Sequence, residues 1–273
     1  MEAYSRPPQN KYKSLIQEIW YTHIDKEEDI PRQDMIIPRG YINLVFNFGD
    51  PYYWLREQIP QKLPPILLTG QLTGQTIIKY GNFVDQIGLV IKAAGFYPLF
   101  HRPDSLFKNI IIDGSHREWR LDPLYQELIK QPSYEERYKS IHTWLEQVTK
   151  GQEIPDKLNT ILKDMDQLDQ RGSIQDLALK HNYSQSGLER FFKKYVGMTP
   201  KEYLGIVQFK KTLGSYNSMD MVDFYYDQSH FTKVCHRYTG RAPKQLWEES
   251  QEITLRYLLN NADFLQSKEG EYE

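Results

Sequence analysis

Cysteine is nearly absent from this chain of 273 residues, where Cys235 is the single one. One thiol excludes a disulfide framework and a cysteine-rich metal site. Long apolar runs are missing too. No stretch approaches the ~20 residues of a membrane span. No apolar N-terminal segment of the signal-peptide kind is present, so a reducing cytoplasm is the expected compartment. Neither sign of charge dominates: 34 Lys and Arg against 36 Asp and Glu leave a formal net charge of −2. That balance excludes a uniformly basic nucleic-acid coat. Catalytic signatures are lacking as well. The 7 histidines show no HExxH or comparable ligand spacing, and no glycine-rich loop precedes a Lys-Ser or Lys-Thr pair. The sequence therefore presents no catalytic residue, no metal site and no cofactor motif.

What is present is unevenly distributed. Residues 173–250 carry 11 basic and 8 acidic side chains, a net of +3, which leaves −5 for the rest of the chain. Residues 185–211 alone hold 6 basic and 2 acidic side chains, a local patch of the kind phosphate contacts need. Aromatic residues make up 14%, with 20 tyrosines.

The basic patch coincides with a helix–turn–helix pattern. Ser173 with Asp176 predicts a capping box, and Ile174, Leu177 and Ala178 supply one apolar face. His181-Asn182-Tyr183 predicts a tight turn, since Asn tolerates a left-handed backbone. Ser184 caps the next helix, in which Leu188, Phe191, Phe192 and Tyr195 recur at helical spacing. Its other face carries Gln185, Ser186, Glu189, Arg190, Lys193 and Lys194. A polar helix start followed by cations suits a helix whose beginning meets base edges and whose end meets phosphate.

The pattern repeats. Tyr195-Val196-Gly197-Met198-Thr199-Pro200-Lys201 returns 43 residues later as Tyr238-Thr239-Gly240-Arg241-Ala242-Pro243-Lys244. At the same offset Leu188 maps to Phe231 and Ser184 to Asp227. Residues 184–204, and Asp227-Gln228-Ser229-His230-Phe231 with Gly240 and Pro243, resemble the tandem DNA-binding domain of AraC-type transcription regulators. The resemblance implies two recognition helices in successive major grooves, a linking helix from about Lys201 to Leu213, and double-stranded promoter DNA as partner. It also implies RNA polymerase and a small-molecule effector as further partners. In the second unit Gln228, Ser229, Thr232 and Lys233 then face DNA, while His230 packs or bonds the backbone. The segment 214–226 is short for a linker plus a supporting helix. Asp220 or Met221 stands where a small alanine is usual, and Phe224 where a turn glycine is.

Before this domain the texture differs. Residues 1–9 predict a loose start or an edge segment, and Leu15–Tyr21 is either strand or short helix. Tyr41–Phe48 alternates, with Ile42, Leu44, Phe46 and Phe48 on one face, and Val45 on the other face points to burial on both sides. The prolines within 58–65 predict a loop. Ile66–Leu68, Gln75–Tyr80 and Ile87–Ala94 are further strands punctuated by glycine, the mark of an antiparallel sandwich or barrel. Pro98–Phe107 predicts a short helix. Asp122-Pro123 opens a helix, and Ser133 with Glu136 caps another that carries Tyr138, Ile141, Leu145 and Val148. A further helix from Pro155 carries Leu158, Ile161, Leu162, Met165 and Leu168.

The expected fold is α+β. A β-rich sandwich or barrel (residues 1–115) senses an effector or mediates assembly. A helical linker or dimerisation region (116–169) follows, then an all-α domain with two helix-turn-helix units (170–250), then a C-terminal helix and polar tail (251–273). The stripe Tyr138, Ile141, Leu145, Val148 is either a homodimer seam or packs on its own domain. Tyr97, His101 and Arg102 are candidates for a ligand pocket. Arg190 either grips guanine or is salt-bridged to Glu189 or Asp176. The function expected is sequence-specific transcription regulation, without enzyme activity. Effector binding is expected to act through the helices at 123–168. The alternative is a ligand-binding or protein-interaction protein whose degenerate second unit no longer reads DNA.

Overall fold

A computed structural model describes residues 2–30, 33–57, 59–102, 108–150, 156–168, 172–215 and 228–248, with backbone alone at 213–215, 228–230 and 247–248. The strands are β1 (Glu2–Arg6), β2 (Ile16–Ile24), β3 (Asp34–Ile36), β4 (Tyr41–Asn47), β5 (Tyr53–Arg56), β6 (Ile59–Lys62), β7 (Ile66–Thr69), β8 (Thr76–Lys79), β9 (Val84–Lys92) and β10 (Ile111–Asp113). They form two antiparallel sheets. The larger has six strands in the order β1-β2-β9-β4-β7-β10, and the smaller has four in the order β3-β8-β5-β6.

The larger sheet is covered on both faces, which explains its sequence. Side chains alternate across a strand, so Ile42, Leu44 and Phe46 of β4 meet helices while Val45 meets the smaller sheet. The helices are α1 (Phe96–Phe100), α2 (Asp122–Leu128) and α3 (Tyr134–Thr149). Ser133 caps α3, its Oγ accepting from the Glu136 amide at 3.3 Å and donating to Glu136 Oε2 at 2.7 Å. Ile141 and Leu145 of α3 are wholly buried against the sheet, with Tyr138 and Val148 packed beside them. The stripe thus finds its partners in the chain's own sheet. The tyrosines gather at the same contact: Tyr4 stacks on Tyr134 at 5.4 Å, and Tyr134 on Tyr21 at 5.6 Å.

Several local expectations change. Residues 59–62 are strand β6, not loop, with Pro60 opposite Leu55. β6 is the end strand of its sheet, and an edge strand accommodates a residue without an amide hydrogen. Residues 2–6 form an edge strand, and the undecided segment at 15–21 lies largely in strand β2, paired on both sides with β1 and β9. The helix expected at 98–107 begins earlier and ends at Phe100, while residues 103–107 lie outside the described ones. Asp122 sits inside the first turn of α2, next to Pro123, and Leu121 takes the cap position.

Helix α4 (Asp156–Gln167) belongs to a second core. Its Leu158, Ile161, Leu162 and Met165 pack with the helices that follow, and the same core takes in Met35, Ile37, Ala93 and Ala94 from the β-rich half. The chain is α+β: a β-sandwich with its own helices, joined by shared apolar packing to a helical C-terminal part.

Candidate nucleic-acid interface and an internal cavity

Helices α5 (Ile174–Lys180) and α6 (Gln185–Tyr195) form the first helix pair. Ser173 Oγ accepts from the amides of Gln175 at 3.1 Å and Asp176 at 3.4 Å. Asn182 takes a φ of 58° in the turn, a conformation its short polar side chain tolerates. Ser184 Oγ accepts from the Gly187 amide at 3.1 Å and starts α6. Leu177, Ala178, Leu188 and Phe192 are buried where the helices cross. Helix α4 braces the pair from behind. Asp164 accepts from His181 Nε2 at 2.7 Å and from Lys180 Nζ at 2.9 Å. The hydrogen bond from Lys180 holds that carboxyl below the usual carboxylate range.

The outer face of α6 brings the expected residues together. At about 100° per residue, Gln185, Glu189, Lys193, Ser186, Arg190 and Lys194 span roughly half the helix circumference. Glu189 is half-buried and the other five are exposed. Gln185 Nε2 donates to Glu189 Oε1 at 3.4 Å. The salt bridge from Arg190 to Glu189 or Asp176 that the sequence allows does not occur among the described residues.

The 43-residue repeat returns in three dimensions. Helix α7 (Pro200–Ser215) follows α6, helix α8 (Gln228–Thr239) corresponds to α6, and α9 (Pro243–Glu248) corresponds to the start of α7. Gly197 and Gly240 leave their helices with φ of 78° and 68°, a backbone that glycine adopts without strain. Leu188 and Phe192 are matched by Phe231 and Cys235, all buried. Burial pushes the Cys235 thiol up to about 11, which keeps it protonated. Thr232 is half-buried and Lys233 exposed on α8. The side chains of Gln228, Ser229 and His230, and residues 216–227 with the shortened supporting segment, lie outside the described residues.

The β-rich half touches this helical unit directly. Tyr97 of α1 meets Tyr195, at the end of α6, edge-on at 5.4 Å. Lys108 Nζ reaches Glu202 Oε1 at 2.5 Å. The Lys210 ammonium of α7 donates to Tyr41 Oη at 2.9 Å. Gly40, with φ of 73°, lets Tyr203 pack close, since an added Cβ would stand 3.1 Å from that ring.

A cavity of about 140 Å³ lies between the two sheets. Its walls are mostly apolar, with Trp20, Val45, Ile78 and Val90 among them, and its charged side chains are Glu18 and Arg39. These two pair at 3.3 Å. Gly88 lets the Trp20 indole lie flat on the sheet, because a Cβ there would fall 2.4 Å from the ring. Tyr52 is buried, and among the described residues neither its hydroxyl nor Arg39 Nε has a hydrogen-bond partner. Burial without a partner pushes the Tyr52 hydroxyl well above the ordinary tyrosine range. Tyr97, His101 and Arg102 are not part of this cavity; Arg102 instead pairs with Glu118 at 3.1 Å. Sequence reasoning missed the cavity residues. Their one local signal was polar Asn43 opposite the apolar face of β4. Among the described residues no cluster of three or more His, Cys, Asp or Glu side chains could hold a metal ion. No helix there is long and apolar enough to cross a membrane.

Comparison with known proteins adds the following. A family model described as a domain of unknown function, DUF6597, matches residues 4–113. No curated protein matches the chain. Among solved structures, ToxT from Vibrio cholerae O395 is similar over 90% of this chain and 98% of its own, at 11% identity and a TM-score of 0.44. Wild-type ToxT from Vibrio cholerae strain SCE256, bound to an unsaturated fatty acid, covers 83% of this chain and 93% of its own, at 9% identity and a TM-score of 0.45. The AraC-like transcriptional activator CuxR covers 78% of this chain and 86% of its own, at 12% identity and a TM-score of 0.25.

Proposed function

We propose that this protein is a sequence-specific, DNA-binding transcription regulator of the AraC type, whose β-rich half senses a small molecule. The observation that carries the reading is the 43-residue repeat, expressed as two helices with matching buried residues and matching left-handed glycines. The first of them presents an exposed polar and basic face. In this reading Gln185, Ser186, Glu189 and Arg190 approach base edges, while Lys193 and Lys194 neutralise phosphates. In the second unit Gln228, Ser229, Thr232 and Lys233 play the equivalent parts. Helix α7 has 16 residues, so it spans about 24 Å at ~1.5 Å per residue. Such a spacer suits recognition helices set in neighbouring major grooves, ~34 Å apart. Promoter DNA is the partner, and RNA polymerase its neighbour there. The compartment in this reading is the cytoplasm.

Effector control takes the direct route between the halves. Tyr41 and Ile37 line the cavity, and each also meets the helical unit, Tyr41 through Lys210 and Ile37 through the shared core. A cavity that changes shape on filling thereby shifts the population of DNA-binding arrangements. Duplex binding measured against salt tests the proposal. Each neutralised phosphate releases counterions and contributes about −0.9 to the slope of log affinity against log salt. A slope of about −2 or steeper is expected from Lys193 and Lys194 together. A flat salt dependence contradicts the reading.

A further inference from the structure

We propose that His236, at the end of helix α8, grips a DNA phosphate only when its imidazole is protonated, so that the second helix-turn-helix unit holds DNA in a pH-dependent way. The inference rests on the reading of α6 and α8 as the helices that meet DNA, and it names a regulation of that contact.

Register comes first. The buried residues of α6 and α8 match at the 43-residue offset, Leu188 with Phe231 and Phe192 with Cys235, and the left-handed Gly197 matches Gly240. The same offset sets His236 at the place of Lys193 and Arg237 at the place of Lys194. All four are exposed and stand in the last turn of their helices. Lys233, one turn earlier, shares their face at spacings of three and four. The two helix ends thus differ in one respect. The first carries two permanent cations, and the second carries one cation beside an imidazole.

Charge comes next. Imidazole is the side chain that ordinarily changes charge between pH 5 and 8. No ion pair engages His236 or Arg237 among the described residues. On its own helix the charged neighbours of His236 are Lys233 and Arg237. Helix α9, packed on α8, carries Lys244, and its Glu248 side chain lies outside the described residues. Helix α7 meets α8 through Phe209 and Tyr238 at 4.8 Å and carries Lys201, Glu202, Lys210 and Lys211. Glu202 is already engaged by Lys108 and by the Thr199 amide. The anion for this helix end therefore comes from outside, and a DNA phosphate is the anion that the matching end of α6 is read to meet. A phosphate favours the imidazolium, so binding takes up a proton and strengthens as pH falls. A cation that served only the helix dipole would stabilise the fold and leave DNA affinity alone.

The test is duplex binding by the full chain at pH 8.0 and at pH 5.5, with His236→Gln and His236→Lys beside the native protein. A mixed-sequence duplex of about 40 base pairs serves as the probe, since phosphate contacts need no particular site. His236 is exposed, so the thermal midpoints of the variants should stay close to the native one. At pH 5.5 His236→Gln should bind about three- to ten-fold more weakly than native, with a salt slope shallower by about 0.9, the share of one phosphate. At pH 8.0 the two should agree within about two-fold, and His236→Lys should bind about three- to ten-fold tighter than native there. A His236→Gln profile parallel to the native one, or a His236→Lys variant no tighter at pH 8.0, overturns the inference and leaves the regulator reading standing. A native protein that binds no duplex at either pH sinks the regulator reading itself.

Discussion

Lys210, on helix α7, places its ammonium 2.9 Å from the hydroxyl of Tyr41, whose ring forms part of the wall of the inter-sheet cavity. The two residues are 169 apart in sequence. The Tyr41 ring also lies under two cations, Arg39 at 5.4 Å and Lys210 at 5.0 Å. One side chain therefore faces the cavity and holds helix α7, which follows α6.

Replacing that side chain should loosen the join without unfolding either half. Tyr41→Ala removes two hydrogen bonds, from Lys210 and to Gln17 Oε1, and two cation–π contacts, about 2–4 kcal/mol in all. The expected outcome is faster amide exchange along α7, with the strands of the larger sheet unchanged. Equal acceleration in both halves would show that Tyr41 serves the sandwich and not the join.

A second pair anchors helix α3 to the sheet. Arg137 donates from Nη1 to Asp85 Oδ1 at 2.6 Å and from Nη2 to Oδ2 at 3.0 Å, with its guanidinium 4.2 Å from the Phe48 ring centre. Both residues are buried. Arg137→Met strands the Asp85 charge and should cost about 3–5 kcal/mol in urea unfolding. Changing Asp85 to Leu as well should recover most of that loss. A double variant as weak as the single one would show that the pair adds net stability beyond mutual compensation.

His142 makes the N-terminal segment sensitive to pH. The Gln9 amide donates to its Nε2 at 3.1 Å, while Nδ1 lies 2.9 Å from the Tyr138 carbonyl oxygen, so the neutral ring protonated at Nδ1 satisfies both. Burial, with the nearby Lys11 charge, lowers its pKa below the ordinary 6.5 against the opposing pull of the Tyr138 carbonyl. The unfolded chain then takes up the proton first. This stability is fully present above pH ~6.5 and is lost as pH falls through the depressed folded value. Between pH 7.5 and 5.5 the native protein should lose thermal stability faster than His142→Gln, whose side chain keeps an acceptor. Parallel pH profiles would remove His142 from the account.

How much of this the sequence disclosed depended on the range of the interaction. Local signals worked. The Ser133 and Ser184 caps, the left-handed Asn182 and the alternation of Tyr41–Phe48 each rest on a few neighbouring residues, and the 43-residue repeat compares the chain with itself. Val45 even disclosed that β4 is covered on both faces. Pro60 misled, because nothing nearby tells an edge strand from a loop. The α3 stripe could not name its partner, since Ile141 and Leu145 meet a sheet assembled from distant strands. The cavity was invisible for the same reason: Glu18, Arg39, Tyr52 and Val90 sit on separate segments, and only the sandwich gathers them.

The central claim, that α6 reads DNA, is most directly tested by selecting bound duplexes from a random-sequence pool, with intact protein and Arg190→Ala side by side. Arg190 is exposed and outside the core, so the variant should fold normally, with stability within about 0.5 kcal/mol. Intact protein should enrich a defined site, and the variant should relax one base position, with a loss of about 1–3 kcal/mol in discrimination there. Two enriched boxes one helical turn apart would place the second unit on DNA as well. A pool that stays random with the intact protein, at moderate salt and with residues 170–273 alone, would contradict the account.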